Sequence, residues 1–116
     1  MKREELFERD EWRCVYCGEQ FAPAALTVDH VQPQLRGGDS SGGNVVTACA
    51  TCNLRKGHRR LAQFLLDEPA ALANFRQFAR FVWPRHLRSL NEALTAGQRR
   101  REANLRPLPH RDPPSR

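Results

Sequence analysis

Residues 14–57 decide the fold of this chain, and they read CVYCGEQFAPAALTVDHVQPQLRGGDSSGGNVVTACATCNLRKG. The stretch contains two Cys-x-x-Cys pairs, Cys14 with Cys17 and Cys49 with Cys52, which account for all 4 cysteines of the chain. A two-residue spacer lets both sulfurs of a pair face one ion, and two such pairs complete the tetrahedral shell that zinc prefers. The pattern therefore predicts a structural four-cysteine zinc site, in preference to four free or redox-active thiols. Because a closed shell has no open coordination position, we expect this zinc to stabilise the fold and not to react.

The composition indicates one small soluble domain. A chain of 116 residues normally forms a single domain with a modest core, which a structural metal would help to stabilise. The chain has no long apolar run, and its charged start is not followed by the apolar core of a signal peptide. We therefore expect a soluble, cytoplasmic protein without a membrane partner. In that compartment paired cysteines are more often metal ligands than disulfides.

The net charge of +6 is distributed unevenly along the chain. Residues 1–52 contain 5 Lys/Arg and 8 Asp/Glu, a net charge of −3, whereas residues 53–116 contain 14 and 5, a net charge of +9. A one-sided basic surface attracts polyanions, mainly through phosphate groups and without sequence information. The basic half indicates either nucleic-acid binding or solvated helix faces, and its start directly after the last cysteine pair favours nucleic acid.

The first half of the chain is expected to form short elements around the cysteine pairs. Hydrophobic pattern and turn residues predict helix 2–10, strand 26–31, a glycine-rich loop 36–44, strand 45–48 and helix 50–60. Asn53 and Lys56 are three residues apart, so the last of these helices presents both on one face.

The second half is expected to be helical. Apolar residues recur at helical spacing in three stripes, Leu61/Phe64/Leu65, Phe75/Phe78/Val82 and Leu87/Leu90/Leu94. Such stripes indicate core far more often than a ligand site. A helix is expected to start at Pro69, and Pro84 interrupts the pattern. The last stripe is either buried within the monomer or pairs two copies in a homodimer.

These observations divide the chain into three predicted parts. Residues 1–60 form a core with the zinc site, and residues 61–105 form a helical extension that packs on this core or mediates dimerisation. Residues 106–116 contain four prolines without periodicity, which predicts a disordered basic tail.

Polar residues between and after the cysteine pairs match a known pattern. The matching positions are Cys14-x-x-Cys17, Leu26-Thr27-Val28-Asp29-His30-Val31-x-Pro33, Gly37-Gly38 and Asn44-Val45-Val46-x-Ala48-Cys49-x-x-Cys52-Asn53-x-x-Lys56-Gly57. In order and spacing, residues 3–60 resemble an HNH endonuclease of the zinc-containing type. The resemblance implies an α+β fold whose small ββα-metal (HNH, or His-Me finger) core holds one divalent ion. Here that core would be stabilised by the four-cysteine zinc site and followed by a C-terminal all-α extension.

The resemblance also implies a role for each polar position. His30 matches the general base, and Asn44 matches the residue that braces the loop and orients this histidine. Asp29 and Asn53 match the ligands of the catalytic ion, although other members have His at the position of Asn53. Hard oxygen donors favour Mg²⁺ or Mn²⁺ over zinc at this second site.

The implied reaction is hydrolysis of phosphodiester bonds in DNA, with double-stranded DNA as the expected partner. Neutral His30 would take a proton from the attacking water, and the ion would offset charge at the leaving oxygen. Neighbouring residues of an extended strand face opposite ways, so Asp29 and His30 serve one site only if the strand end is distorted or the metal sits over the edge of the strand. The residues expected to hold the phosphate backbone are Arg36, Arg55, Lys56, Arg59 and Arg60.

Two other functions remain open from the sequence. The first alternative is a non-catalytic zinc-knuckle nucleic-acid-binding module, which would have no need of the set Asp29, His30 and Asn53. The second is a zinc-stabilised adaptor whose helical stripes bind a partner, and this protein would have no salt-sensitive affinity for DNA. The sequence identifies no recognition helix, so it predicts no target sequence and does not separate nicking from double-strand cleavage.

Overall fold

A computed structural model describes residues 1–33 and 39–105 as an α+β fold around a two-stranded sheet. Its elements are α1 (Arg3–Arg9), β1 (Leu26–His30), β2 (Val45–Cys49), α2 (Ala50–Lys56), α3 (Leu61–Asp67), α4 (Pro69–Phe78) and α5 (Pro84–Leu105). The predicted α+β class, with a cysteine cluster and C-terminal helices, is confirmed. None of the helices in the described ranges combines the length and the apolar composition needed to cross a membrane. Arg36 and the predicted tail at 106–116 lie outside the described residues.

The sheet pairs β1 and β2 antiparallel, with Leu26 opposite Cys49 and His30 opposite Val45. Every residue of β2 is buried, whereas β1 is only half-buried beyond Leu26. The pattern follows from the side chains, because β2 reads Val-Val-Thr-Ala-Cys and β1 ends in Asp-His. The polar end of β1 therefore lies where it can be reached from solvent.

Helix α1 and the first cysteine pair are fastened to β2 by hydrogen bonds around Thr47. The Val15 N–H donates to the Thr47 carbonyl at 3.0 Å. The Asp10 carboxylate accepts from the Thr47 N–H at 3.1 Å and from its hydroxyl at 2.9 Å. These bonds bring the first cysteine pair beside the end of β2, where the second pair begins.

Helix α2 is shorter than the sequence pattern indicates. The predicted end at residue 60 is wrong, since the helix ends at Lys56 and Gly57 follows with φ 58°. Glycine adopts this conformation without the steric penalty that other residues meet. Pro84 also differs from expectation, because it begins α5 where the pattern indicated only an interruption. A proline is favourable in a first turn, where its missing N–H has no partner to lose.

The three C-terminal helices share one hydrophobic core with the cysteine region. The Tyr16 ring contacts Phe64 of α3 edge-on at 5.2 Å between centroids and stacks on Phe75 of α4 at 6.2 Å. Leu90 and Leu94 of α5 are buried in the same core. The leucine stripe of α5 is thus largely used within the chain.

Candidate active site

The four cysteines converge on one point. One sulfur from each of Cys14, Cys17, Cys49 and Cys52 lies within 4.8 Å of all the others, and none is in a disulfide. Zinc–sulfur bonds of about 2.3 Å place tetrahedral sulfurs roughly 3.8 Å apart. The cluster is therefore compatible with a tetrahedral zinc site.

Backbone N–H groups stabilise thiolates at this cluster, whereas burial disfavours them unless a cation is bound. The N–H groups of Tyr16 and Cys52 donate to the sulfurs of Cys14 and Cys49 at 3.4 and 3.3 Å. Burial raises the pKa of Cys14 to about 11. Burial, followed by the charge of Cys14, raises the pKa of Cys52 still further. Four thiolates in a buried cluster thus need a bound cation to offset their mutual repulsion.

Asp29, near the end of β1, has a carboxylate surrounded by donors. The Lys56 ammonium lies 2.8 Å from Oδ1 and 2.7 Å from Oδ2. The Tyr16 hydroxyl donates to Oδ2 at 2.5 Å, and the His30 N–H donates to Oδ1 at 3.1 Å. Side-chain exposure is 12% for Asp29 and 10% for Lys56, so this ion pair is close to fully buried.

Helix α2 crosses the face of β1 that carries Thr27 and Asp29. The amide nitrogen of Asn53 donates to the Thr27 hydroxyl at 3.3 Å, one helical turn before the contact between Lys56 and Asp29. Within the described residues, no hydrogen bond to the Asn53 amide oxygen is found. The two predicted ion ligands, Asp29 and Asn53, therefore lie along one strip between β1 and α2.

His30 is brought to the same region by the strand end. It shares with Lys56 the lining of a cleft of about 290 Å³, of which Ser89 and Leu90 of α5 form one wall. Its Nε2 lies 3.2 Å from the Ser40 hydroxyl oxygen. The His30 N–H donates to the Asp29 carboxylate at 3.1 Å, so this carboxylate lies against the backbone of the next residue.

Asn44, which directly precedes β2, is fully buried. Its side chain accepts from the Gln32 N–H at 2.8 Å and donates to the carbonyls of Gln32 and Asp39 at 3.0 and 2.6 Å. Its own carbonyl accepts from the Val31 N–H at 2.9 Å. Asn44 thus joins the chain on both sides of the undescribed segment 34–38.

The predicted phosphate-binding cations have different surroundings. Arg55 pairs with Glu68, and Arg59 pairs with Asp67 at 2.9 Å. Lys56 is held by Asp29. Arg60 is exposed, and no ion pair in the described part of the chain involves it.

The structure adds residues that the sequence did not identify. Tyr16, inside the first Cys-x-x-Cys spacer, joins the cysteine cluster to Asp29, and Ser40 meets His30. Trp83, before α5, donates its N–H to the Gly43 carbonyl at 2.9 Å. An added Cβ at Gly43 would lie 2.0 Å from the Trp83 ring. The sequence signal for Tyr16 is its position between Cys14 and Cys17. Trp83 carries no such signal, because it is 40 residues from Gly43, its partner.

Comparison with known proteins places this geometry in context. Residues 14–59 match the family model of HNH endonucleases. This HNH segment, residues 14–59, contains both cysteine pairs together with Asp29, His30, Asn44 and Asn53. The resemblance inferred from the sequence is confirmed for this segment, and the match supports a nuclease activity in general.

No curated protein matches the chain. Among solved structures, it is similar to the Type II-C Cas9 enzyme from Actinomyces naeslundii, with a TM-score of 0.52 and 23% identity. The similarity covers 81% of this chain and 12% of that one, so the chain spans a small part of its neighbour. About 94 of 116 residues are aligned, more than the HNH segment contains, so the shared fold includes helical residues. At this identity the likeness concerns the fold alone.

Proposed function

We propose that this chain is a metal-dependent endonuclease that hydrolyses phosphodiester bonds in double-stranded DNA. The observation that carries the proposal is that His30 lines a cleft together with Lys56, the ion-pair partner of Asp29, within a segment that matches the HNH family. The family match supports nucleic acid as the substrate, and the net charge of +9 in residues 53–116 favours a polyanion.

His30 acts as the general base in this proposal. In its neutral form the imidazole takes a proton from a water molecule directed at phosphorus. The Ser40 hydroxyl, 3.2 Å from Nε2, restrains the ring. Asn44 is a positioning residue, because its hydrogen bonds hold Gln32, two residues after His30, and Asp39, which precedes Ser40.

Asp29 and Asn53 would hold the divalent ion. A carboxylate and an amide oxygen are hard donors, which fits Mg²⁺ or Mn²⁺ in kind. Such an ion, when bound, offsets the negative charge that develops at the phosphate and the leaving oxygen. The hydrogen bond from the Asn53 nitrogen to Thr27 supports this assignment, since it leaves the amide oxygen as the atom that coordinates the ion.

The cysteine cluster would hold a structural zinc ion that organises the site without reacting. Exposed Arg60, together with Arg55 and Arg59 after exchange of their present partners, would contact the phosphate backbone. Arg36 is proposed for the same role from the sequence.

Plasmid cleavage tests the proposal. Zinc-loaded protein is incubated with supercoiled plasmid in Mg²⁺ or Mn²⁺, beside His30→Ala, the same substitution at His110 as a matched control, and a sample with EDTA. We expect the wild type and His110→Ala to nick or cut, and His30→Ala to lose at least about 100-fold in rate, the usual value of a general base. Salt-dependent DNA binding without cleavage, equal in all variants, would instead favour the non-catalytic zinc-knuckle module.

A further inference from the structure

The Asp29 carboxylate has no free position for a metal ion. An ionised carboxylate offers about four lone-pair positions. All four are used: two by the Lys56 ammonium, one by the Tyr16 hydroxyl and one by the His30 N–H. A cation that binds Asp29 must therefore displace one of these donors.

Two of the three donors are fixed by their surroundings. The His30 N–H belongs to the strand backbone, one residue from Asp29. Tyr16 is 2% exposed, its ring lies against Phe64 and Phe75, and its carbonyl accepts from Asn74 at 2.8 Å. Neither donor can leave without disturbing the core around the cysteine cluster.

Lys56 is the donor that can move. Its ammonium is carried on a flexible four-carbon stem, in the last turn of α2. Lys56 also lines the cleft that His30 lines, and Gln32 and Ser89 line it too, so its ammonium has a space with polar groups to enter. It is at the same time the donor that carries a full charge, so a divalent cation can replace its electrostatic contribution at Asp29.

Burial makes a cation necessary at Asp29 in every state. A fully buried carboxylate that loses its partner is left with an uncompensated charge, which strongly destabilises the fold. At 12% exposure, Asp29 is close to that limit. Lys56 and a divalent ion are thus alternative partners for the same carboxylate oxygen.

We propose that Lys56 is a resident counter-ion of Asp29 that gives up at least one carboxylate oxygen to the divalent ion and then turns its ammonium into the cleft beside His30. This inference rests on the proposed function and adds a regulation of its metal site. The released ammonium meets the phosphate of the substrate, so metal and DNA each strengthen the binding of the other. Such coupling is reciprocal by thermodynamic necessity. DNA-free protein consequently binds the ion weakly.

The lysine content of the chain provides the test. Lys2 and Lys56 are the only two lysines in the sequence, and Lys2 is exposed. Mn²⁺ binding to zinc-loaded, DNA-free protein is measured by electron paramagnetic resonance for the wild type, Lys56→Met and the control Lys2→Met. We expect Lys56→Met to bind Mn²⁺ about tenfold more tightly and Lys2→Met to match the wild type. Equal or weaker binding by a folded, zinc-containing Lys56→Met protein would overturn the inference.

A second measurement uses the wild type alone, so it does not depend on the folding of a variant. Trace acetylation with acetic anhydride, read by mass spectrometry, gives the labelling of Lys56 relative to Lys2 at fixed pH. We expect this ratio to be low without divalent ion and to rise severalfold in saturating Mn²⁺. An unchanged ratio in protein that binds Mn²⁺ and cuts DNA would overturn the inference and leave the proposed function intact. If the wild type neither binds Mn²⁺ nor cuts, both fail together.

Discussion

At the residue scale, Tyr16 connects the two halves of the site. Its backbone N–H donates to the sulfur of Cys14, and its hydroxyl donates to Asp29. Burial, followed by the charge of Asp29, raises the pKa of Tyr16 well above its ordinary value. The phenol therefore stays protonated at neutral pH and remains a donor to the carboxylate. A residue in the spacer of the first cysteine pair thus also orients Asp29, the proposed ligand of the proposed catalytic ion.

We predict that Tyr16→Phe keeps the fold and the zinc but lowers stability and cleavage. The ring contacts with Phe64 and Phe75 are retained, while Asp29 loses one donor, at a cost of about 1–3 kcal/mol. Thermal unfolding and plasmid cleavage measure the two effects, with bound zinc as the check on folding. A variant that unfolds at the wild-type temperature and cuts at the wild-type rate would show that the hydroxyl does not matter.

The raised pKa of Tyr16 predicts a loss of stability at alkaline pH. Between the unfolded pKa near 10 and the higher folded pKa, the folded state keeps a proton that the unfolded state has released. The stabilisation from this hydroxyl is thus complete below about pH 10 and is lost as the pH rises towards the folded value. The melting temperature of the wild type should fall more steeply above pH 10 than that of Tyr16→Phe. Parallel pH profiles for the two proteins would contradict this.

At the element scale, the strands and α1 follow from the sequence, whereas the end of α2 at Lys56 and the start of α5 at Pro84 do not. Local pattern was sufficient for β1 and β2, because β-branched residues and a glycine-rich loop specify a hairpin of this kind. Helix α2 ends early because Gly57 takes a positive φ, although the residues that follow are ordinary helix formers. The contacts of α5 with the loop before β2 were inaccessible, since they join elements distant in sequence.

The same limit explains which part of the site could be predicted. The cysteines, Asp29, His30 and Asn53 lie in a spacing that a sequence pattern records. The ion pair between Lys56 and Asp29 is a property of how α2 lies on β1. Lys56, which the sequence predicts to contact phosphate, is therefore the ion-pair partner of Asp29, a proposed metal ligand. Side-chain pairing across elements depends on packing, which single-sequence periodicity does not contain.

The helical extension supports the loop that carries Asn44, through Trp83 beside Gly43 and through Arg85, which pairs with Asp39 at 3.9 Å. We predict that Trp83→Ala lowers cleavage severalfold and increases hydrogen exchange in residues 39–44, because the ring that covers Gly43 is lost. Trp12→Ala is a matched control, since Trp12 is 41% exposed and Trp83 42%. Trp83→Phe should restore part of the protection from exchange. Unchanged exchange and rate in Trp83→Ala would show that the extension does not position the loop.

At the scale of the whole molecule, one hydrophobic core spans the predicted boundary at residue 60. Buried residues from the cysteine region, such as Cys14 and Val46, belong to the same cluster as Leu65 and Leu90 of the helices. Charge also crosses this boundary, because Arg59 pairs with Asp67 of α3 at 2.9 Å, and Arg101 of α5 pairs with the same carboxylate and donates to the Leu66 carbonyl at 3.1 Å. The hydrogen bond from Arg101, followed by that from Arg59, lowers the pKa of Asp67. If the segments around the two cysteine pairs lose their order, α5 should consequently lose its order as well.

Removal of the proposed zinc ion tests this coupling. We predict that a strong zinc chelator at neutral pH removes most of the helical circular dichroism, including that of α5, in one cooperative step. Zinc in such sites contributes about 10–16 kcal/mol to folding, and Tyr16 carries the loss from the first cysteine pair to Phe64 and Phe75.

Omitting Mg²⁺ or Mn²⁺ from the zinc-loaded protein should abolish cleavage yet leave the spectrum and the melting temperature unchanged. Cys52→Ser should reproduce the chelated state, and excess zinc should restore the wild type but not this variant. If the helices persist with an unchanged melting temperature after zinc is lost, the extension folds without the segments around the cysteine pairs. The shared core would then contribute little to the stability of the helices.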